Sequence, residues 1–366
     1  MIVAYDLRYA CDHFAGIGTY AFALLEELVA LPGAERYVLL WNPAWPQTRY
    51  DFKRLRSHSR VEWVERDFHP IQPMGTVQVG RWLRRLRPAV YFSPFGLRPV
   101  ASGCPEVLML HDVGPLRRRL PGLGDALYRA SVWLALRARF IVTVSEFSRS
   151  EILSLTGARG EQVRAILPGV MPWSANLELR RPVKLGEGRF ALLVGDNLPR
   201  KNIVVAVRAW AAMGAEPPLA LVAAGPVRPG HPSVEELTAA AGARRVAHLG
   251  WLEPAELAWL YAHAEMLLMP SLYEGFGSPL AEGMAHGLPV LASDIPAFRE
   301  VGAGAATYLD PHDAGAWARE VLRIAGDPGA RERLRPAALA RAAQLTYRKT
   351  AEGVLAVLRE AAQPQR

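Results

Sequence analysis

Two carboxylates, Glu274 and Glu282, stand eight positions apart with the turn Gly275-Phe276-Gly277 between them and Ser278-Pro279-Leu280 after it. Before them the apolar run Met266-Leu267-Leu268-Met269 ends at Pro270 and predicts a short buried strand. Ser278 suits a helix N-cap and Pro279 the first helical position, so the stretch predicts strand, loop and helix. A helix start offers unpaired N–H groups and a partial positive charge, which suits a phosphate. The glycines let the backbone approach a ligand closely. In the helix's first turns, Glu282 can accept from two hydroxyls of a ribose. At the strand's carboxyl end, Glu274 stands where open parallel sheets bind ligands. The pattern fits a phosphorylated, polyhydroxylated ligand. Acidic residues favour first turns in any case, so Glu282 alone also fits a plain helix cap.

Three further stretches carry chemistry. After the strand Phe190–Val194 comes Gly195-Asp196-Asn197-Leu198-Pro199-Arg200-Lys201-Asn202 and then a helix. Arg200 grips a diphosphate bidentately and Lys201 acts as a point charge; a solvated basic turn is the plainer alternative. His111-Asp112 closes the strand Val107–Leu110, where a lone histidine is usually structural. Gly16-Ile17-Gly18-Thr19-Tyr20 reads as a glycine loop before a periodic helix, able to present N–H groups to phosphates. It is not G-x-G-x-x-G, because residue 21 is Ala, so it carries no dinucleotide fingerprint.

The segment from Pro270 to Val290 resembles the E-x7-E signature of the family-4 retaining glycosyltransferases nearly throughout. His111-Asp112, Ser145-Glu146-Phe147-Ser148 and Pro199-Arg200-Lys201-Asn202 extend the resemblance across almost the whole chain. It implies the GT-B fold, two Rossmann-like parallel-sheet α/β domains facing a cleft. It implies that Arg200, Lys201 and the helix start at Ser278–Leu280 neutralise a diphosphate, and that Glu282 holds the ribose. Glu274 with Gly275, Phe276 and Gly277 would hold the sugar, and the backbone at Trp251-Leu252 the nucleobase. His111, with Asp112, would line the cleft from the first domain, donating to a sugar hydroxyl or positioning the acceptor; Gly16 and Gly18 would lie near the diphosphate and the acceptor. Many members carry arginine directly after the glycine where this chain has Asp196. No cofactor and no metal are implied, because the cations replace the metal.

Length and composition frame these motifs. The 366 residues allow two domains. Strands alternate with helices throughout, which implies parallel sheets. The expected divisions are 1–172, binding the acceptor, and 173–347, binding the nucleotide sugar, with a last helix from about 348 to 366 packing back on the first. Residues 171–188, rich in Pro and Gly, read as the linker. The last strand of the first domain is expected at Ala165–Val170. Two cysteines, Cys11 and Cys104, make a disulfide framework or zinc site improbable on spacing and point to the reducing cytoplasm. No signal peptide is expected, since Met1 leads straight into a short apolar strand.

The net charge of +8 falls on the first half: residues 1–170 hold 22 Lys+Arg against 15 Asp+Glu. This suggests an anionic partner, although Arg-rich composition along the whole chain offers a plainer reason. Val79, Trp82, Leu83 and Leu86 share a helix face flanked by Arg81, Arg84, Arg85 and Arg87. Together with Arg117-Arg118-Arg119, these arginines form the expected contact with an anionic membrane at its cytoplasmic face. Nucleic acid is disfavoured, because exposed aromatics do not interleave the basic residues.

The expected activity is a retaining transfer of a sugar from a nucleotide diphosphate sugar to a hydroxyl of a lipid-linked or oligosaccharide acceptor. His-Asp with Pro-Arg-Lys-Asn resembles the mannosyltransferases of surface-polysaccharide assembly, which implies GDP-mannose. A UDP-sugar donor is the alternative, then a sugar-nucleotide epimerase of the same fold, then a non-catalytic binding subunit.

Overall fold

A computed structural model describes residues 1–117, 123–170 and 177–364. The chain divides into two compact units: Met1–Gly169 together with the chain from Tyr347 onward, and Val170–Thr346.

The first unit is built on seven parallel strands, β1 (Ile2–Asp6), β2 (Arg36–Trp41), β3 (Val61–Glu65), β4 (Val90–Ser93), β5 (Glu106–Met109), β6 (Phe140–Thr143) and β7 (Val163–Ala165). Their order is β3-β2-β1-β4-β5-β6-β7. The helices are α1 (Ala15–Ala30), α2 (Lys53–Arg56), α3 (Pro73–Leu86), α4 (Gly114–Arg117), α5 (Leu123–Ala135) and α6 (Glu146–Thr156). Strands β4, β5 and β6 are buried at every position, as unalternating apolar runs require when helices cover both faces of a parallel sheet. One core cluster joins Ala4, Leu40, Tyr91, Leu108 and Ile141 of the sheet to Val79 and Leu83 of α3 and Val132 of α5.

Two expectations change here. Gly16 and Gly18 lie inside α1, whose N-cap is Phe14, so the glycine stretch is the first turns of the helix and not a loop. The last strand is Val163–Ala165, earlier than the expected 165–170, because its register is set by β6 through Ile141↔Val163 and Thr143↔Ala165.

The second unit holds β8 (Phe190–Val194), β9 (Ala220–Ala224), β10 (Val246–His248), β11 (Met266–Met269), β12 (Val290–Ser293) and β13 (Thr307–Leu309). All are parallel, in the order β10-β9-β8-β11-β12-β13. Its helices are α7 (Ile203–Ala212), α8 (Val234–Ala241), α9 (Pro254–His263), α10 (Ser278–Ala285), α11 (Pro296–Gly302), α12 (Ala314–Ala325) and α13 (Ala330–Ala342). Trp210 of α7 and Trp317 of α12 are fully buried against Leu221, Leu268 and Leu291. Of the stretch read as a linker, residues 171–176 lie outside the described residues. The rest is tied down: the Arg180 N–H donates to the Ala255 carbonyl at 3.3 Å, and Leu185 is buried.

The chain returns to the first unit in α14 (Tyr347–Ala362). Thr350, Ala351, Val354, Leu355, Val357, Leu358 and Ala361 bury one face of it, and α14 packs on α1, β4 and β5. Thr350 donates to the Leu167 carbonyl at 2.9 Å, and Arg359 pairs with Glu35 at 2.8 Å.

In both sheets the strand order reverses beside the first strand, between β1 and β4 and between β8 and β11. The connections leaving those neighbours go to opposite faces, so the crevice beyond their carboxyl ends is the natural ligand site of such a sheet.

Candidate active site

In the second unit, the loops after β8 and β11 leave the two strands that flank the reversal, and they are stitched together. The Pro199–Lys201 turn follows β8, and Asn202 ends it with a left-handed φ of 52° and starts α7. The Asn202 side-chain amide donates to the carbonyls of Pro270, at 3.0 Å, and Pro311, at 2.8 Å. The Leu272 N–H donates to the Arg200 carbonyl at 2.7 Å. Onto this frame Lys201 Nζ places 2.6 Å from Glu274 Oε1, Ser271 Oγ donates to the same oxygen at 2.8 Å, and Arg200 stands 3.3 Å from Glu274 Oε2. The side chains of Glu274 and Lys201 are 10% and 12% exposed, and that of Arg200 is 33% exposed. One carboxylate thus holds two cations, leaving a surplus positive charge at a strand end. That surplus suits a diphosphate.

Helix α10 begins just beyond. Its N-cap is Gly277, at φ 89°, and Ser278 and Pro279 are its first two residues, which corrects the expected cap at Ser278. The reason is packing: a Cβ on Gly277 would stand 2.4 Å from the Phe298 ring, so only glycine makes the turn. No side chain caps the helix, and its first amides lie in the loop that carries Glu274. Leu280 and Phe276 are buried, while Ser278 is exposed. Glu282 is the fifth residue of α10, beyond the first turn, so the helix-start explanation of its charge does not apply. Its Oε2 accepts from the Tyr261 hydroxyl of α9 at 2.7 Å, and burial and that carboxylate hold the Tyr261 hydroxyl well above its usual pKa. Trp251 and Leu252 follow β10 on the same rim of the sheet, two strands from β8; Trp251 is exposed.

In the first unit, His111 lies two residues beyond the end of β5. Its Nε2 lies 2.9 Å from the Pro94 carbonyl, which only accepts, so Nε2 carries the proton. Burial pushes the ring below its usual pKa, against the Pro94 carbonyl and Asp112, which act the other way. The neutral ring therefore leaves Nδ1 as an acceptor. His111 suits accepting from a hydroxyl, and not the donation the sequence suggested. Asp112 is turned to the backbone, its Oδ1 accepting the Gly114 N–H at 3.0 Å. The ring of Tyr20, edge-on to His111 at 5.5 Å, brings the start of α1 to this corner. Gly18 has a packing reason, since a Cβ there would stand 2.8 Å from the Tyr9 carbonyl; Gly16 is exposed with open space around it.

Sequence reasoning missed Ser271, Asn202, Tyr261 and Tyr20. Ser271 and Asn202 adjoin the motifs and were readable as their neighbours. Tyr261 and Tyr20 sit on helices whose apolar pattern hides them. The Tyr20 hydroxyl is buried without a partner among the described residues. Among those residues, no group of three His, Cys, Asp or Glu side chains is placed to hold a metal ion.

Two family models match the chain, one described as Glycosyltransferase Family 4 over residues 14–172 and the other as Glycosyl transferases group 1 over residues 176–341. The chain belongs to glycosyltransferase family 4. It is 31% identical over 220 residues to O-antigen chain mannosyltransferase B of Escherichia coli, covering 57% of this chain and 58% of that one. It is 32% identical over 189 residues to MMP alpha-(1->4)-mannosyltransferase of Mycolicibacterium hassiacum, covering 51% and 44%. The chain spans about half the length of these curated relatives. The fold is of the GT-B type. Anabaena HepE, solved in complex with UDP and glucose, superposes with a TM-score of 0.72 at 18% identity, over 98% of this chain and 100% of that one.

The buried pair at Glu274 yields a prediction. Glu274→Ala strands Lys201 without its carboxylate and should lower the unfolding free energy by about 3 kcal/mol. Added pyrophosphate should then stabilise the variant more than the native chain in thermal melts. Equal stabilisation of both would show that Lys201 and Arg200 do not face a diphosphate.

Proposed function

We propose that the chain is a retaining glycosyltransferase that moves mannose from GDP-mannose to a hydroxyl of a lipid-linked or oligosaccharide acceptor. The observation that carries this reading is the cluster of Arg200 and Lys201 on Glu274 beside the uncapped start of α10. As the bond to the sugar breaks, negative charge grows on the departing diphosphate. Fixed cations and helix amides at that place stabilise the transition state more than the ground state. Lys201 and Arg200 supply this charge with no metal and no cofactor. Glu282 takes the ribose hydroxyls, and Glu274 with Gly275–Gly277 takes the sugar. Glu274 is engaged by three donors at once, which argues against its serving as a nucleophile. His111 Nδ1 accepts a hydroxyl proton of sugar or acceptor. The names of the two relatives support mannose. The second reading, a UDP-sugar, has its support in HepE, which was solved with UDP and glucose. The epimerase reading loses support from a family of transferases.

Calorimetric titration with GDP, UDP, ADP and dTDP, without metal, tests the donor. Selective binding of GDP is expected. Selective binding of UDP would move the assignment to the second reading, and binding of none would contradict a donor site.

The acceptor reading brings the membrane with it. Among the described residues no helix is long and apolar enough to cross a membrane. Helix α3 turns Val79 and Leu83 into the core and keeps Arg81, Arg84 and Arg85 outside, with Met74 exposed in its first turn. Arg117 pairs with Glu151, and Arg118 and Arg119 lie outside the described residues. An exposed apolar stripe lies on α5: Leu127 and Trp133 are 62% and 56% exposed, Leu134 adjoins them, and the Arg137 guanidinium lies 3.8 Å from the Trp133 ring centre. An aromatic and leucines beside arginine suit the interface of an anionic bilayer. Trp133→Ser with Leu134→Ser should abolish flotation with phosphatidylglycerol vesicles while the fold is kept. Unchanged flotation would remove α5 as the contact.

A further inference from the structure

Position 196, directly after the glycine that follows β8, is an aspartate. A guanidinium stands beside it, delivered from another loop. Arg228, between β9 and α8, holds its Nε 3.4 Å from Asp196 Oδ2. The Asp196 side chain is 11% exposed and that of Arg228 is 55% exposed, so the carboxylate lies inside and the guanidinium faces outward.

The placement of Arg228 is enforced. Asn197 Oδ1 accepts the Arg228 N–H at 2.5 Å, and the Asn197 amide donates to the carbonyls of Arg228, His231 and Pro232 at 3.3, 3.1 and 3.1 Å. One buried asparagine thus fastens the loop after β9 to the loop after β8. The two loops also meet backbone to backbone, since a Cβ on Gly225 would stand 2.1 Å from the Gly195 carbonyl oxygen. Lys201 crosses the same spot: its Cδ would lie 3.3 Å from a Cβ on Gly195. Arg228 and Lys201 therefore flank Gly195-Asp196 together.

The charges make sense only as a set. A carboxylate at the rim of a diphosphate site repels the ligand unless a cation offsets it. Asp196 Oδ1 is buried without a hydrogen-bond partner among the described residues, so the carboxylate is not there to complete a protein network. Its other oxygen faces Arg228 Nε. With Nε engaged, the two terminal nitrogens of Arg228 have no protein partner among the described residues, and a guanidinium fork matches phosphate oxygens bidentately.

We propose that Arg228, presented by the loop after β9, is a phosphate-binding residue of the donor site beside Lys201, with Asp196 as its positioning residue. The inference rests on the donor-site reading above, and its test separates the two. GDP, UDP and the matching nucleosides are titrated into the native chain, Arg228→Ala, Arg228→Lys and Lys201→Ala, with thermal melts to confirm folding. Arg228→Ala should weaken diphosphate binding about tenfold and leave nucleoside binding within about twofold, as loss of a charge-assisted contact to phosphate requires. Arg228→Lys, which keeps the charge and loses the fork, should fall between, and it answers the question if the alanine variant does not fold. In a double-mutant cycle, Asp196→Ala should shrink the effect of Arg228→Ala on the ratio of diphosphate to nucleoside affinity; additive effects would remove Asp196 as the positioning residue. Diphosphate binding kept at native strength in Arg228→Ala but lost in Lys201→Ala would overturn the role of Arg228 alone. Binding unchanged in both variants, or absent from the native chain, would overturn the donor site itself.

Discussion

The buried contact of Lys201 with Glu274 is the constraint on which the candidate site depends. An ammonium and a carboxylate withdrawn from water are each costly, and here they offset one another at 2.6 Å, with Ser271 donating to the same carboxylate oxygen. The pair also joins the loop after β8 to the loop after β11, the two strands that the fold sets side by side despite their distance in sequence. Arg200 then adds a positive charge that, among the described residues, no second carboxylate offsets within the cluster. The same contact that holds the loops in place therefore keeps cations ready for an anionic ligand. Preorganisation of this kind is what a departing diphosphate needs, since the charges stand in place before the reaction begins.

Glycines complete the arrangement at close quarters. Gly277 turns the chain under the Phe298 ring and starts α10 without a capping side chain. Gly225 lets the ends of β8 and β9 touch backbone to backbone. At each of these points a side chain would either strike a ring or a carbonyl or force the loop away from the sheet's rim. The first unit uses a different device. There His111 is held by a single carbonyl, and burial keeps it neutral, so its useful atom is a bare nitrogen.

Much of this was legible in the sequence because it is local. Unbroken apolar runs such as Met266–Met269 and Phe190–Val194 announce buried parallel strands, and each is a strand. Glu274, Arg200 and Lys201 could be singled out as candidates because their types and their places after strands match the chemistry and the family pattern. What could not be read was pairing across the sheet. Nothing in the sequence says that Lys201 meets Glu274, that Tyr261 meets Glu282, or that Arg228 meets Asp196, because the strand order creates those neighbours. Boundaries set by packing were lost in the same way. Ser278 looks like a cap until Phe298 is seen to demand glycine one position earlier, and the glycines of α1 look like a loop until the helix is seen to start at Ala15.

A crystal structure of the chain with GDP bound addresses the central claim most directly. The account predicts the diphosphate within hydrogen-bonding distance of Lys201 Nζ and Arg200, across the start of α10, with the ribose hydroxyls on Glu282. A nucleotide seated elsewhere, with Lys201 still on Glu274 and no phosphate contact at either cation, would contradict it.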